Sequence, residues 1–228
     1  LQGGWTMDWQ LGEAYLTQLD PFFAQLIETT GPCRLQPVAP EQYFAALVRG
    51  IISQQVAPQV AEEIITRVAV YFQHNLQAER LLAAPEGDLR NLGLAPQKVG
   101  YLCDLSERIV QGAINLNTLA DLPDADIIRQ LTAVKGVGRW TAEMFLIFAL
   151  ARPDVLPAED FGLQKAVKLW QKLTALPGRR ELNLLSERWH PWRTLAVWYL
   201  WSALPRLEET APGKKKADSP KSKPAKRK

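Results

Sequence analysis

The sequence predicts an all-α protein whose helices are joined by short connections. Apolar residues recur at spacings of three and four along most of the chain, and the alternating pattern of β-strands is absent. Proline and glycine stand at the starts and ends of these segments. With 228 residues, of which 47% are hydrophobic and 22% charged, the chain has the composition of a globular protein with a substantial core.

The first predicted helix is "DPFFAQLIETTG", in which Asp20 is a capping residue, Pro21 occupies the first turn and Gly31 ends the helix. The next is "PEQYFAALVRGIIS", with one continuous apolar face. Pro58 disfavours a helical Ala57, so a break is expected within "SQQVAP", before "QVAEEIITRVAVYF".

Six further segments show helical patterns: "PEGDLRNLG", "APQKVGYLCDLSERIVQGA", "DADIIRQLTAV", "RWTAEMFLIFALA", "GLQKAVKLWQKL" and "PWRTLAVWYLWSAL". The short apolar runs within the fourth and the sixth are flanked by helix signals, so neither is predicted to be a strand. About nine or ten helices are therefore expected.

Several classes of protein are excluded by composition. The longest apolar run, "MFLIFALA", is far shorter than the roughly 18 residues of a membrane span, and no secretory signal pattern is present. The two cysteines, Cys33 and Cys103, lack the spacing of a zinc or iron–sulfur site, and both are expected to be small buried hydrophobes. These features predict a reducing, cytoplasmic compartment without membrane association.

The net charge of +3 is unevenly distributed. Residues 214–228 contain eight Lys or Arg and one Asp, a charge of +7, which leaves −4 for the remainder. This Pro/Ser/Lys-rich tail is predicted to be disordered. It is either a solubilising segment or an electrostatic contact for a polyanion such as DNA, and charge alone favours neither.

The stretch "LTAVKGVGRWTAEMF" places a Gly-Val-Gly turn between two helical patterns. Glycines at 136 and 138 allow positive φ and remove side chains from the surface, so amides at the start of the next helix can approach a phosphate. Backbone carbonyls in the turn could hold a monovalent cation, and those of Thr132, Val134 and Val137 are the candidates. Spacing alone favours ordinary helix capping by glycine.

Four motifs, taken in order, resemble the helix–hairpin–helix Gly/Pro–Asp superfamily of base-excision DNA glycosylases, and specifically its 3-methyladenine DNA glycosylase II type. Together they cover roughly residues 41 to 203. The matching residues are Ile51, Ile52, Gln54 and Val56; Leu131, Val134, Gly136, Val137, Gly138, Arg139, Trp140, Thr141 and Ala142; Leu156, Pro157 and Asp160; and Pro191, Trp192, Arg193, Ala196, Tyr199, Leu200 and Trp201.

This resemblance implies two helical lobes with a helix–hairpin–helix element and the active-site cleft between them. Residues 41–150 would form the central lobe, including the hairpin at about 124–150, and 151–208 would complete the cleft. Residues 1–40 would pack with the C-terminal lobe, and 209–228 would be the basic tail. The N-terminal α/β domain of the larger bacterial members and the four-cysteine iron–sulfur loop of the endonuclease III branch are not expected.

The catalytic candidate is Asp160, which lies at a predicted turn or helix N-cap. Helix dipole and capping would keep its carboxylate ionised, and capping is compatible with catalysis. One ionised carboxylate is what the loss of a cationic base requires, since it stabilises the positive sugar and orients a water. Glu159 is the weaker alternative and is expected to be exposed.

The resemblance assigns the base pocket to Trp140 and Trp201, which would stack on the flipped, electron-poor base. Met144 lies one helical turn after Trp140, where the family often has an aromatic residue, so a softer pocket wall is expected. Gln55 follows the Gln of the first motif and stands at the position of the residue that fills the gap in the duplex; the best-known bacterial enzyme has Leu there. Gln54 would support the loop or contact the base pair.

Contacts with the DNA backbone are predicted for Lys135, Gly136, Val137, Gly138, Arg139 and Thr141. Bifunctional lyases of the superfamily carry Lys at the position of Trp140, so no Schiff base and no strand nicking are expected.

The sequence thus predicts a monomeric, nucleoid-associated bacterial enzyme that hydrolytically releases alkylated purines from duplex DNA. No cofactor is required, and the hairpin could hold a structural Na⁺ or K⁺. The alternative is a helix–hairpin–helix module that binds DNA without catalysis. Substrates beyond 3-methyladenine and 7-methylguanine stay open.

Overall fold

A computed structural model describes residues 8–210, which form thirteen α-helices and two 3₁₀ turns and contain no β-strand. The all-α prediction is confirmed. The helices are α1 Trp9–Leu19, α2 Pro21–Thr30, α3 Tyr43–Ser53, α4 Pro58–Tyr71, α5 Ala78–Ala83, α6 Glu86–Asn91, α7 Pro96–Val110, α8 Leu116–Leu119, α9 Asp124–Thr132, α10 Arg139–Phe148, α11 Phe161–Trp170, α12 Arg179–Ser186 and α13 Arg193–Thr210. Residues 211–228, which include the predicted disordered segment 214–228, lie outside the described part, whereas residues 209 and 210 of the predicted tail belong to α13.

The expected number of nine or ten helices is wrong, because α1, α5, α8 and α12 were not anticipated. Three of these four have only six, four and eight residues, so each shows little of the helical period, although the six-residue α6 was predicted. The fourth, α1, has an unfavourable helix residue, Gly12, at its fourth position.

The helix starts and ends marked by proline and glycine were predicted correctly. Asp20 caps α2 by accepting the amide of Phe22 at 2.9 Å, Pro21 is the first residue of α2, and Gly31 follows its last. Ala57 is extended, with ψ of 139°, so α3 and α4 are separate helices joined by residues 54–57.

Buried apolar side chains form two clusters. The central cluster runs from Tyr43 to Val155 and includes residues of the helices α3–α10. The terminal cluster joins α1 and α2 to α11, α12 and α13. Trp201 of α13 packs against both clusters, so this residue stands where the two meet.

The loop after α10 is tied to the start of α13 by polar contacts. Arg193 donates to both carboxylate oxygens of Asp154, at 2.6 and 2.5 Å, and His190 Nδ1 lies 2.6 Å from the same carboxylate. The hydroxyl of Thr194 donates to the carbonyl of Arg152 and accepts from the amide of Val155. The C-terminal helix is thereby held beside the segment that leads to Asp160.

Within residues 8–210, no helix combines the length and apolar character that crossing a membrane requires.

Candidate active site

The Gly-Val-Gly turn joins α9 to α10 and uses its two glycines differently. Gly136 has φ of +74°, and a Cβ there would lie 2.1 Å from the ring of Tyr101. Gly138 has φ of −86° and faces open space, so it needs no positive φ. The first glycine is required by the fold, whereas the second leaves the N-terminus of α10 uncovered by a side chain.

The turn is anchored to α7 by Asp104. Its Oδ2 accepts the backbone N–H of Lys135 at 2.9 Å and the Nε–H of Arg108 at 2.8 Å. Burial alone would raise the pKa of the Asp104 carboxyl, but the amide of Lys135 and the guanidinium of Arg108 outweigh it and hold that pKa below its usual value. The ammonium of Lys135 lies 3.5 Å from Asp104 and is exposed.

Gln54 connects the turn to the loop between α3 and α4. Its side-chain amide donates to the carbonyl of Gly136 at 3.0 Å and to the hydroxyl of Thr141 at 2.9 Å. Thr141 and Val137 are only 5% and 6% exposed. If these two residues contact a phosphate, they do so through their backbone, because their side chains are buried.

Gln55 is exposed at the same loop and adopts φ of +53°, a left-handed conformation that is rare for residues other than glycine. Gln54 and Gln55, adjacent in sequence, therefore differ in role: one side chain is bonded inward to the hairpin and the other stands at the surface.

Asp160 is the N-cap of α11, which is one of the two positions, turn or helix N-cap, that the sequence predicted. Its Oδ1 accepts the amide of Leu163 at 2.7 Å. The same oxygen accepts the indole N–H of Trp201 at 2.8 Å, and Oδ2 accepts the indole N–H of Trp140 at 2.9 Å. Three N–H donors thus fix the carboxylate, and two of them come from the predicted pocket tryptophans.

An apolar cavity of about 510 Å³ opens beside Trp140, between α3 and α10. Met144 lines it, as does Phe148, which sequence reasoning missed. The Phe148 ring is 48% exposed and stacks on Trp201, with ring centroids 5.8 Å apart and an angle of 16° between the planes. The signal was available, because Trp140, Met144 and Phe148 are spaced by four and share one face of α10.

Gly162 is a second residue that sequence reasoning missed. A Cβ at this position would lie 3.1 Å from Asp160 Oδ1 and 3.5 Å from the indole of Trp201. Glycine at the second position of α11 therefore leaves the room in which Trp201 reaches the carboxylate.

Two arginines near the hairpin pair with acidic side chains. The Nε–H of Arg139, at the start of α10, donates to Glu143 at 2.8 Å. Burial raises the pKa of the Glu143 carboxyl, although Arg139 partly offsets this. Glu159 pairs with Arg179 at 3.5 Å and is 58% exposed, so it stands apart from the hydrogen-bonded group around Asp160.

Among residues 8–210, no group of three or more His, Cys, Asp or Glu side chains is arranged to hold a metal ion. Cys33 is buried and Cys103 half-buried, and neither is bonded to another cysteine.

Residues 48–191 match the family described as HhH-GPD superfamily base excision DNA repair protein. The chain belongs to the HhH-GPD superfamily. The resemblance found in the sequence motifs is thereby confirmed, and the site just described lies largely within the matched region.

The chain is also similar to individual members of the HhH-GPD superfamily. It is 30% identical over 205 residues to DNA-3-methyladenine glycosylase 1 of Schizosaccharomyces pombe, covering 88% of this chain and 90% of the relative. A solved structure of 3-methyladenine DNA glycosylase from the same yeast, in complex with abasic DNA, has a TM-score of 0.77 and 29% identity, covering 84% of this chain and 95% of that one.

A solved DNA-3-methyladenine glycosidase from Bacillus halodurans has a TM-score of 0.74 and 33% identity, covering 86% of this chain and 89% of its own.

Proposed function

We propose that this HhH-GPD protein is a monofunctional DNA glycosylase that flips alkylated purines out of duplex DNA and releases them by hydrolysis, leaving an abasic site. The expected substrates are of the 3-methyladenine and 7-methylguanine type, in keeping with the names of its relatives. One observation carries the proposal: the Asp160 carboxylate is held by the indoles of Trp140 and Trp201 beside an apolar cavity.

The chemistry assigned to Asp160 is electrostatic. A purine alkylated on a ring nitrogen is already cationic and leaves readily, so the barrier lies in the positive charge that develops on the sugar. A carboxylate held in place stabilises that charge without having to reorganise, and its oxygen can orient the attacking water. The N-cap and indole hydrogen bonds hold the two carboxylate oxygens in the orientation that this role needs.

The apolar cavity supports selection of the base. An electron-poor, cationic purine gains roughly 1–2 kcal/mol from a desolvated indole face, which a neutral purine does not. Trp140 and Met144 line the cavity, and the Phe148–Trp201 stack stands next to it. The softness of Met144 favours a broad range of alkylated bases.

Strand cleavage is not part of the proposed reaction. Position 140 carries an indole, which has no amine for a Schiff base, and its N–H is bonded to Asp160.

The hairpin would bind the phosphate backbone of the duplex. The amides of Gly136 and Gly138 bond to no acceptor among residues 8–210, and the start of α10 carries the positive end of a helix dipole. Arg139 and Lys135 add charge there.

The carbonyl of Val134 accepts the amide of Val137 at 3.1 Å and keeps a second lone pair, so the turn suits a Na⁺ or K⁺ held by the carbonyls of Thr132, Val134 and Val137. We expect the protein to act as a monomer without any other cofactor.

The test is release of free base from methylated duplex DNA by purified wild type and by Asp160→Asn, whose amide keeps the shape of the carboxyl group. Release by the variant should fall at least about a hundredfold, a loss typical of removing a key electrostatic group, while affinity for an abasic-site duplex stays within a few fold. Undiminished release by Asp160→Asn would show that another group performs the chemistry.

The same assay discriminates between the proposed function and a non-catalytic binding module, because that alternative predicts duplex binding with no release by wild type. Mass spectrometry of the bases freed from alkylated genomic DNA would then rank ethenoadenine, hypoxanthine and 1-methyladenine against the expected substrates.

A further inference from the structure

Lys98 lies in the first turn of α7, the third residue after the N-cap Ala95. A positive charge at this end opposes the dipole of its own helix, so α7 does not explain its presence. Its ammonium reaches the end of a different helix, where Nζ donates to the carbonyl of Ile52 at 2.5 Å and to that of Gln54 at 2.8 Å.

These two carbonyls belong to the C-terminal end of α3, whose last carbonyls have no partner within the helix. That end carries partial negative charge, and bonds from an ammonium to it are charge-assisted. Among residues 8–210, no carboxylate lies within ion-pair distance of Lys98. Burial lowers the pKa of this half-buried ammonium, so its placement depends on the carbonyls it contacts.

The segment that Lys98 holds carries a strained residue. Gln55, directly after the second bonded carbonyl, has φ of +53°. Such a conformation costs about 1–3 kcal/mol for a residue other than glycine and persists only where its surroundings enforce it. Here two contacts enforce it: the Lys98 ammonium on the α7 side, and the Gln54 side chain, which is bonded to Gly136 and Thr141 on the hairpin side.

We propose that Lys98 is a positioning residue for Gln55: by binding the carbonyls of Ile52 and Gln54 it holds the loop between α3 and α4 in the shape that presents Gln55 to the gap left by a flipped base. The proposal rests on the proposed function and on the gap-filling role given to Gln55. It does not place Lys98 in contact with DNA or with the reacting atoms.

The main test is Lys98→Met, which keeps the apolar stem and removes the ammonium. Single-turnover release is measured from a paired duplex and from a duplex whose lesion lies in an unpaired bubble, where no stacked base pair has to be replaced. Release from the paired duplex should fall roughly 10- to 100-fold, as expected when a group is misplaced by about 1 Å. Release from the bubble should change by about twofold at most, since an unpaired base needs little help in leaving the stack.

Arg80→Met is the matched control. Arg80 also caps a helix end through two carbonyls, those of Phe72 and Asn75 at 2.9 and 2.7 Å, at the end of α4. Its loss removes a cation from the end of a helix that carries no site residue, so the ratio of paired to bubble release should equal that of wild type. Assays are run below the melting temperature of every variant, with the folded fraction verified by circular dichroism.

A double-mutant cycle with Gln55→Gly tests the route of the effect, since glycine removes the side chain and accepts positive φ without strain. If Lys98 acts through Gln55, Lys98→Met should cause no further loss on the paired duplex in the Gln55→Gly background. Equal losses on both duplexes, or additive losses in the double variant, would overturn the proposal. If wild type releases no base from either duplex, the proposed function fails and this inference fails with it.

Discussion

At the scale of single residues, the indole nitrogens of the site matter as much as its ring faces. The resemblance predicted Trp140 and Trp201 as stacking surfaces for the base, and that role stays a prediction. The structure adds that each indole donates a hydrogen bond to a different oxygen of Asp160. Residues 20 and 41 positions away from Asp160 thus set the direction of its carboxylate.

Trp140→Phe and Trp201→Phe keep an aromatic ring and remove one of these donors. A hydrogen bond to a charged group contributes about 1.5–3 kcal/mol, so each variant should release base roughly 10- to 100-fold more slowly in single-turnover assays. Affinity for abasic duplex should change little, because both variants leave the Gly-Val-Gly turn and its backbone amides unchanged.

Trp198→Phe is the control, since Trp198 lies on the same helix as Trp201 and contacts Tyr199 by its ring edge rather than bonding to Asp160. It should keep the rate of wild type. If all three tryptophan variants lose the same activity, the indole bonds to Asp160 are not the cause.

At the scale of elements, the helix–hairpin–helix depends on α7, which is not part of it. Asp104 of α7 holds the turn through the amide of Lys135, and Tyr101 of α7 packs against Gly136. The motif could be recognised from its own residues, but its support could not, because the supporting residues lie about 30 positions earlier and carry no distinctive pattern.

Asp104→Asn should weaken this support, with a loss of about 1–3 kcal/mol in the free energy of unfolding at pH 7. The folded-state pKa of Asp104 is depressed, so its stabilisation is present above the unfolded-state pKa, about 4, and is lost as pH falls through the folded-state pKa. Urea unfolding should therefore show a difference from wild type that is largest near neutral pH and shrinks as the pH falls below about 4.

Asp126→Asn provides the comparison, since Asp126 pairs with the exposed Arg129 on the surface of α9. That variant should lie within about 0.5 kcal/mol of wild type. A pH-independent difference for Asp104→Asn would mean that the charge of the carboxylate does not stabilise the hairpin.

At the scale of the whole molecule, the charge is concentrated at the C-terminus. Residues 214–228 carry +7 and the rest of the chain −4, so most of the long-range attraction to DNA is expected to come from the tail. Ending the chain at Pro212 should weaken duplex binding. The slope of log K against log salt concentration should also become shallower. The change should be about 0.9 for each phosphate that the tail neutralises in the full-length protein.

The measurement is duplex affinity at several salt concentrations for both lengths of chain. The rate of release at saturating DNA should be the same for the two, because the residues around Asp160 are retained. An unchanged salt dependence would leave the tail as a solubilising segment.

The sequence by itself determined the class of the fold, the breaks at Pro21 and Pro58, the hairpin and the position of Asp160 at the start of a helix. Each of these depends on neighbours within a few residues, through spacing, capping or backbone restriction. Three helices of four to eight residues, α5, α8 and α12, were missed because so short a segment shows little of the helical period.

Tertiary structure alone decided which groups meet. It brought Trp140 and Trp201 onto Asp160, Gln54 onto Gly136, and Lys98 onto the end of α3. The physical reason is that such contacts join a side chain to a side chain or backbone carbonyl 20 to 82 residues away, and only the packing of helices sets these distances.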